Sequence, residues 1–349
     1  MAVVEAIQLA IAGQHLGEGQ AAAVATEIMA GKATPAQIAA LLVALRAKGE
    51  SVEEITGFVR AMRLGAVPAP ARSDNLVDTC GTGGDRSGTF NISTVSGFVA
   101  AGAGCKVAKH GNRSISSSCG SADVLQSLGV NIEMSPEDSA GCIDEIGVGF
   151  LFAPQYHPGA RHAAGPRREI GVRTVFNMLG PLLNPAGARR QLMGVYDRSL
   201  TEPVAQVLQR LGSVHCLVVH GEDGLDEITL AGRTFVTELR NDALRSFTVC
   251  PGDFSLADAE LDTLRGGDAQ ANARIVREVL DGEPGPTRDV VLLNAGASIY
   301  VGGRADSIGE GIQRAAESID SGSARAKLEA LVARSRGNRS DRTPSVSEG

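Results

Sequence analysis

The sequence predicts an α/β protein: a small N-terminal helical domain, then a larger α/β domain around a mostly parallel central sheet. Three observations predict it. The first 65 residues carry apolar stripes at helical spacing. From Asn75 onward, short β-branched or apolar runs alternate with helical stretches, the pattern of strand–helix–strand units. Glycine is frequent, 43 of 349 residues, and falls between the apolar runs without a collagen-like period, as many strand–helix loops require.

In the helical part, residues 1–72, Thr34-Pro35 reads as an N-cap followed by proline at the first helical position. Ile38, Leu41, Leu42 and Leu45 then follow helical spacing, and Gly49 can end the helix. Ser51 and Glu54 form a candidate capping box ahead of the stripe Ile55, Phe58, Val59 and Met62. Pro68 and Pro70 mark a break. In the α/β part, residues 73–334, strands are expected at 75–79, 105–108, 148–152, 214–220 and 289–294. Helices are expected at 91–103, 119–129, 136–146, 200–212, 268–281 and 307–333. Residues 153–190, rich in Pro, Gly, Arg and His, interrupt the alternation, and near 160–190 they read as a segment crossing between the two parts. The last fifteen residues, 335–349, are polar and aperiodic and read as a disordered tail.

A net charge of −7 argues against a general nucleic-acid binder, while leaving room for an anionic small molecule held by a local cluster of donors. The six cysteines form no CxxC pair, so a redox or metal motif has no support and a reducing compartment suits them. The N-terminus shows no secretory pattern and no apolar run reaches membrane-spanning length, so a soluble cytoplasmic protein is expected, with no membrane partner.

The most informative stretch is 78–121, where two glycine- and hydroxyl-rich loops flank an apolar segment. Consecutive backbone N–H groups in glycine-rich loops form anion-binding nests. Asp78 to Asp85, DTCGTGGD, follows the apolar Leu76-Val77. It is no Walker A loop, and the dinucleotide pattern fails because Arg86 stands at its third glycine. An ordinary tight turn is the plain alternative. Asn91-Ile92-Ser93-Thr94 reads as a helix start, where unpaired N–H groups favour anions; capping by Asn91 or Ser93 is the simpler role, and both can hold. Lys109-His110-Gly111-Asn112-Arg113 and Ser114 to Ser118 supply many donors and no acidic acceptor. A solvated basic loop is the alternative there, and His110 alone reads as a hydrogen-bonded loop residue.

Asp226-Glu227 follows the apolar run Cys216 to Val219. Magnesium usually takes one or two carboxylates plus substrate phosphates. Adjacent residues on a helix diverge by about 100°, whereas in a loop both can meet one ion, or each one of two. An acidic surface loop is the plain alternative. Arg161, Arg167, Arg168 and Arg173 lie in the crossing segment, where an arginine fork can hold a carboxylate. For each arginine singly, pairing with Glu169 or another acid is the simpler reading.

Taken in order, DTCGTGGD, NIST, KHGNRSISS, CGSADVLQSLGV, RTVFNMLGPLLNP and LDE closely resemble anthranilate phosphoribosyltransferase, from the N-terminal helices to about residue 330. The resemblance implies transfer of a phosphoribosyl group from phosphoribosyl pyrophosphate (PRPP) to the amine of anthranilate, in tryptophan biosynthesis. It implies the nucleoside phosphorylase/phosphoribosyltransferase class of fold, a homodimer joined through the helical domain, and magnesium, two ions per monomer. PRPP-binding positions would be Gly81, Gly84, Asp85, Thr89, Asn91, Ile92, Ser93, Thr94, Lys109, His110, Gly111, Asn112, Arg113, Ser114, Ile115, Ser116, Ser117 and Ser121. Ser93, Asp226 and Glu227 match metal positions; Gly81, Asn112 and Arg167 match positions that meet anthranilate. Lys109 is the candidate for a direct catalytic role. Pro166, where a β-branched residue is expected, and Ser118, where lysine is common, depart from the pattern. A nucleoside phosphorylase of the same fold is the enzyme alternative. A non-catalytic nucleic-acid-binding relative is the other, disfavoured by the net acidity and the retained acidic pair.

Overall fold

The computed structural model describes residues 2–114 and 119–337. The expectations for Ile115, Ser116, Ser117 and Ser118, and for the tail from residue 338, lie outside the described residues. The N-terminal helices are α1 (Ala2–Ile11), α2 (Glu18–Met29), α3 (Pro35–Lys48) and α4 (Val52–Leu64). Both expected helix starts form. Thr34 Oγ1 accepts from the Gln37 N–H at 3.3 Å, and Ser51 Oγ from the Glu54 N–H at 3.2 Å. Glu54 is fully buried and also accepts from Lys48 Nζ and the Leu16 N–H, each at 2.8 Å. That capping box is therefore also the buried clasp of the bundle.

The sheet has seven strands: β1 (Leu76–Gly81), β2 (Lys106–Gly111), β3 (Val148–Phe152), β4 (Arg190–Gly194), β5 (His215–Gly221), β6 (Thr234–Arg240) and β7 (Ala243–Val249). Their order is β3-β2-β1-β4-β5-β6-β7, parallel from β3 to β5 and antiparallel thereafter. Three strands escape the sequence reading. β4 is short and opens on Arg190 and Gln191 at the end of an irregular segment. The β6–β7 hairpin turns on Asn241 and Asp242, at φ 51° and 63°, a two-residue turn that left-handed backbone makes possible.

The strand expected at 289–294 is instead part of a helix, α13 (Pro286–Val301), in which every residue from Val290 to Val301 is buried. A helix buried all round carries no amphipathic period, so a short apolar run inside it mimics a core strand. The helix expected over 307–333 is two, α14 (Ile308–Asp320) and α15 (Ser323–Gly337), parted at Gly322 with φ 76°. α15 also takes in residues 335–337, which the sequence reading places in the tail. The other helices are α5 (Ile92–Gly102), α6 (Ser121–Leu128), α7 (Pro136–Glu145), α8 (Ala153–Tyr156), α9 (Arg161–Ile170), α10 (Phe176–Leu182), α11 (Thr201–Arg210) and α12 (Ala269–Leu280).

Alternation along the strands sorts the core. Val77, Val107, Phe150, Leu192 and Leu217 point to the face covered by α5 and α13. Met193, Cys216 and Val218 point the other way, into an apolar cluster that runs on through Leu208 of α11 and Phe176 of α10 to Leu41 and Phe58 of the N-terminal bundle. The bundle and the second face of the sheet thus share one core. Strands β1, β2 and β3 run to one side in sequence, and β4 starts the other side next to β1. The order reverses between β1 and β4, and ligands of open α/β sheets bind beyond the strand ends at such a point.

Candidate active site

At that reversal, the segment carrying Asp226 crosses the ends of β1 and β4. A Cβ on Gly81 would overlap Asp226 Oδ2, and one on Gly194 would fall on the Asp226 carbonyl. Only glycine leaves room for this crossing. Asp226 Oδ2 accepts from the Gly83 N–H at 2.7 Å. Asn294 of α13 clamps the same segment, accepting from the Ile228 N–H and donating to the Ile228 carbonyl, each at 2.9 Å. Asp226 and Glu227 therefore sit in a loop, free of the divergence a helix would impose. The loop after β1 is fixed at several points. The Thr82 N–H donates to the Gly194 carbonyl at 3.0 Å, Thr89 bridges Arg265, and the Phe90 N–H donates to the Leu264 carbonyl at 3.0 Å.

Lys109 points to the α5 face, only 5% exposed. Its ammonium donates to the Thr79 carbonyl at 2.6 Å and to Ser93 Oγ at 3.3 Å. Burial lowers its pKa, against the opposing pull of Asp78, Cys80 and Glu227. Burial raises Asp226 to about 7, helped by the negative charge of Asp85. Burial and the neighbouring Asp226 raise Glu227 to about 8, with Lys109 acting in the opposite sense. Asp85 Oδ2 is buried without a hydrogen-bond partner among the described residues. Asp226 and Glu227 thus meet with too little positive charge to ionise together, and with the Asp85 carboxylate beside them the arrangement suits a divalent cation. Among the described residues no three His, Cys, Asp or Glu form a ready metal cage. Magnesium fits such a site, because it keeps water and substrate oxygens in its shell.

The remaining residues divide. Asn91, first in line at α5, makes no capping bond with its side chain. Its Nδ2 donates to the Cys119 carbonyl at 3.2 Å, and its Oδ1 accepts from Asn272 of α12 at 3.0 Å. Ile92 turns into the core, so only its backbone can face a ligand. Thr94 is buried on the first turn of α5, its hydroxyl without a hydrogen-bond partner among the described residues. Ser121 Oγ donates to the Asn112 carbonyl at 3.3 Å, and the Ser121 Oγ leaves no room for a Cβ on Gly111. The basic loop does have an acidic acceptor: Asp123 takes Arg113 Nη1 at 2.8 Å and the N–H groups of Ser114 and Gly120 at 3.1 and 2.9 Å. Residues 109–118 themselves carry no acid; the acceptor comes from the first turn of α6. His110 points to the opposite face of the sheet from Lys109, toward the Gly180 carbonyl at 3.2 Å and the ring of His157, whose centroid is 5.2 Å away. Beside it Asp78 accepts from Asn184 at 2.8 Å and from the His110 N–H at 3.2 Å.

Arg167 lies on α9, its guanidinium over the Phe176 ring at 5.1 Å from the centroid. Burial lowers its pKa. Pro166 is accommodated inside α9 without ending it. Among the described residues none of Arg161, Arg167, Arg168 and Arg173 forms an ion pair, so the structural pairing with Glu169 is not what occupies them. Among the described residues no hydrogen bond joins the Arg167 guanidinium to Gly81 or Asn112. Gly194, Asn272, Asn294 and Asp123 escaped the sequence reading. Asp123 and Asn184 stood inside quoted motifs, while Asn272 and Asn294 lie on helices with no local signal.

A helical bundle joined to an α/β domain is the architecture of a glycosyl transferase family. The family model of the glycosyl transferase α/β domain matches residues 73–325, and that of its helical bundle domain matches residues 4–64. Anthranilate phosphoribosyltransferase of Moorella thermoacetica is 57% identical over 94% of this chain and 96% of its own length. That of Rubrobacter xylanophilus is 54% identical over 95% and 97%. The structure of the Thermus thermophilus enzyme matches with a TM-score of 0.91 at 45% identity, covering 95% of this chain and 99% of that one. The Saccharomyces cerevisiae enzyme in complex with PRPP and Mg matches at 0.88 and 27%, covering 96% and 98%. The chain belongs to the anthranilate phosphoribosyltransferase family.

Proposed function

We propose that this chain transfers the phosphoribosyl group of PRPP to the amine of anthranilate, releasing pyrophosphate, as a step of tryptophan biosynthesis. The C1–oxygen bond to pyrophosphate breaks, a C1–nitrogen bond forms, and the amine gives up a proton. One observation carries the reading: the acidic segment lies across Gly81 and Gly194, against the glycine-rich loop, with Lys109 and Ser93 beside it. Donors for a polyphosphate and carboxylates for its cation are thereby brought to one strand end.

Magnesium, two ions per monomer, would be held by Ser93, Asp226 and Glu227; when bound, it neutralises charge on the departing pyrophosphate. Backbone N–H groups of Gly84 and Asp85, the N-terminus of α5, and residues 109–121 bind the phosphates. Lys109 adds a positive charge on the leaving-group side. Asn112 and Arg167 orient anthranilate, whose aromatic amine is neutral near pH 7 and needs no strong base. Positioning therefore carries the reaction, without a covalent intermediate. The yeast relative solved with 4-fluoroanthranilate supports the acceptor, and the one solved with PRPP and Mg supports the donor and metal. Among the described residues no helix is long and apolar enough to cross a membrane. We place the helical domain at 1–72 and the α/β domain at 73–334, in a cytoplasmic homodimer joined through the former, which light scattering after size exclusion tests.

The direct test follows anthranilate fluorescence. Loss of signal is expected only with PRPP and magnesium together. No loss with both, or turnover of a nucleoside with free phosphate instead, would move the chain to the phosphorylase reading.

A further inference from the structure

We propose that Arg173 is a positioning residue for the phosphoribosyl donor: from the crossing segment it fixes residues 82–85 in the shape that meets the polyphosphate. The inference rests on PRPP being the ligand of that loop. Arg173 Nη2 donates to the Gly84 carbonyl. Its guanidinium lies over the Tyr196 ring, Cζ 4.3 Å from the centroid. The Tyr196 N–H donates in turn to Thr82 Oγ1 at 3.1 Å. The two contacts brace the loop on either side of Gly83, the residue whose N–H reaches Asp226. Gly84 itself has φ 77°, and a Cβ there would lie 3.5 Å from Arg173 Nε, so arginine and loop are in close register.

The chemistry calls for arginine. Its planar guanidinium can lie flat on an aromatic ring while an in-plane N–H donates to a carbonyl; a lysine ammonium cannot do both. Among the described residues no carboxylate pairs with Arg173, so its charge is added to the field at the loop. It stands two residues beyond Gly171, which ends α9, the helix that carries Arg167. One short segment thereby bears an acceptor-side arginine and a brace on the donor loop.

Steady-state kinetics of R173A, R173K, Y196L and Y196F, with melting temperatures, test this. R173A is expected to raise the KM for PRPP about tenfold or more, the scale of a lost charge-assisted hydrogen bond. Its KM for anthranilate should stay within about twofold. Added guanidinium ion at millimolar concentration should recover part of the loss, and R173K should not. Y196L should move the PRPP KM in the same direction, and Y196F should behave as wild type, because the ring face and not the hydroxyl makes the contact. An unchanged PRPP KM in R173A or, if that variant does not fold, in Y196L overturns the proposal. So does an equal rise in both KM values without guanidinium recovery. Wild-type protein inactive with PRPP would instead overturn the proposed activity, and this inference with it.

Discussion

At the scale of single residues, the acidic pair and Arg167 make distinct demands. Asp226 and Glu227 hold protons into the neutral range because burial and a neighbouring acid penalise their charged forms. Replacing both by alanine should lower turnover about a hundredfold or more and change its magnesium dependence, since the groups proposed to hold the leaving-group cation are gone. Normal activity with a normal magnesium titration would refute the metal role. Arg167→Ala removes a guanidinium that faces an aromatic ring. It should raise the anthranilate KM about tenfold with little change in kcat, if the contact is uniform binding; steady-state titration of anthranilate at saturating PRPP checks this. The acidic pair was legible because LDE closes the ordered set of motifs; adjacency alone fits Glu222-Asp223 of the same stretch equally well. Asp123 was not, because it lies beyond the basic stretch and meets Arg113 only when the loop folds back. Nor was the turning of His110 to the opposite face, which depends on strand register.

At the scale of elements, the fit between strand ends and the crossing loop decides the site. Gly194 is not at positive φ; what it lacks room for is a side chain, since the Asp226 carbonyl occupies the place of its Cβ. Gly194→Ala should cost about 1–3 kcal/mol of stability as an overpacked contact. Because the segment that must yield carries the acidic pair, turnover at 25 °C should fall further than the loss of folded protein explains. Denaturant titration alongside specific activity measures both, and an alanine variant with wild-type turnover would refute the coupling. Strands flanked by glycine loops, β1 and β2, were legible from apolar runs and turn residues. β4, with its polar start, and α13, buried on every side, were not, because local pattern reports one-sided burial and is silent where burial is complete or brief.

For the whole molecule, pH acts through groups sealed between the layers. Burial lowers His110 to about 3 and His157 to about 4. A histidine that binds protons less well folded than unfolded contributes stability that is full above about pH 6.5. That contribution is lost as pH falls from there toward the folded value, at up to about 1.4 kcal/mol per unit for each ring. Asp78, raised by burial to about 6, acts in the opposite sense, its cost relieved as pH falls below that value. His157→Gln should therefore flatten the decline of melting temperature between pH 6.5 and 4.5; an unchanged slope would show that the ring is not buried neutral. The shared apolar cluster that joins α1–α4 to α10, α11 and one side of the sheet has a mechanical consequence. A protease that nicks the proline-bearing connector between α4 and β1 would release neither piece: the severed helices should co-elute with the remainder and leave only when the entire chain is denatured.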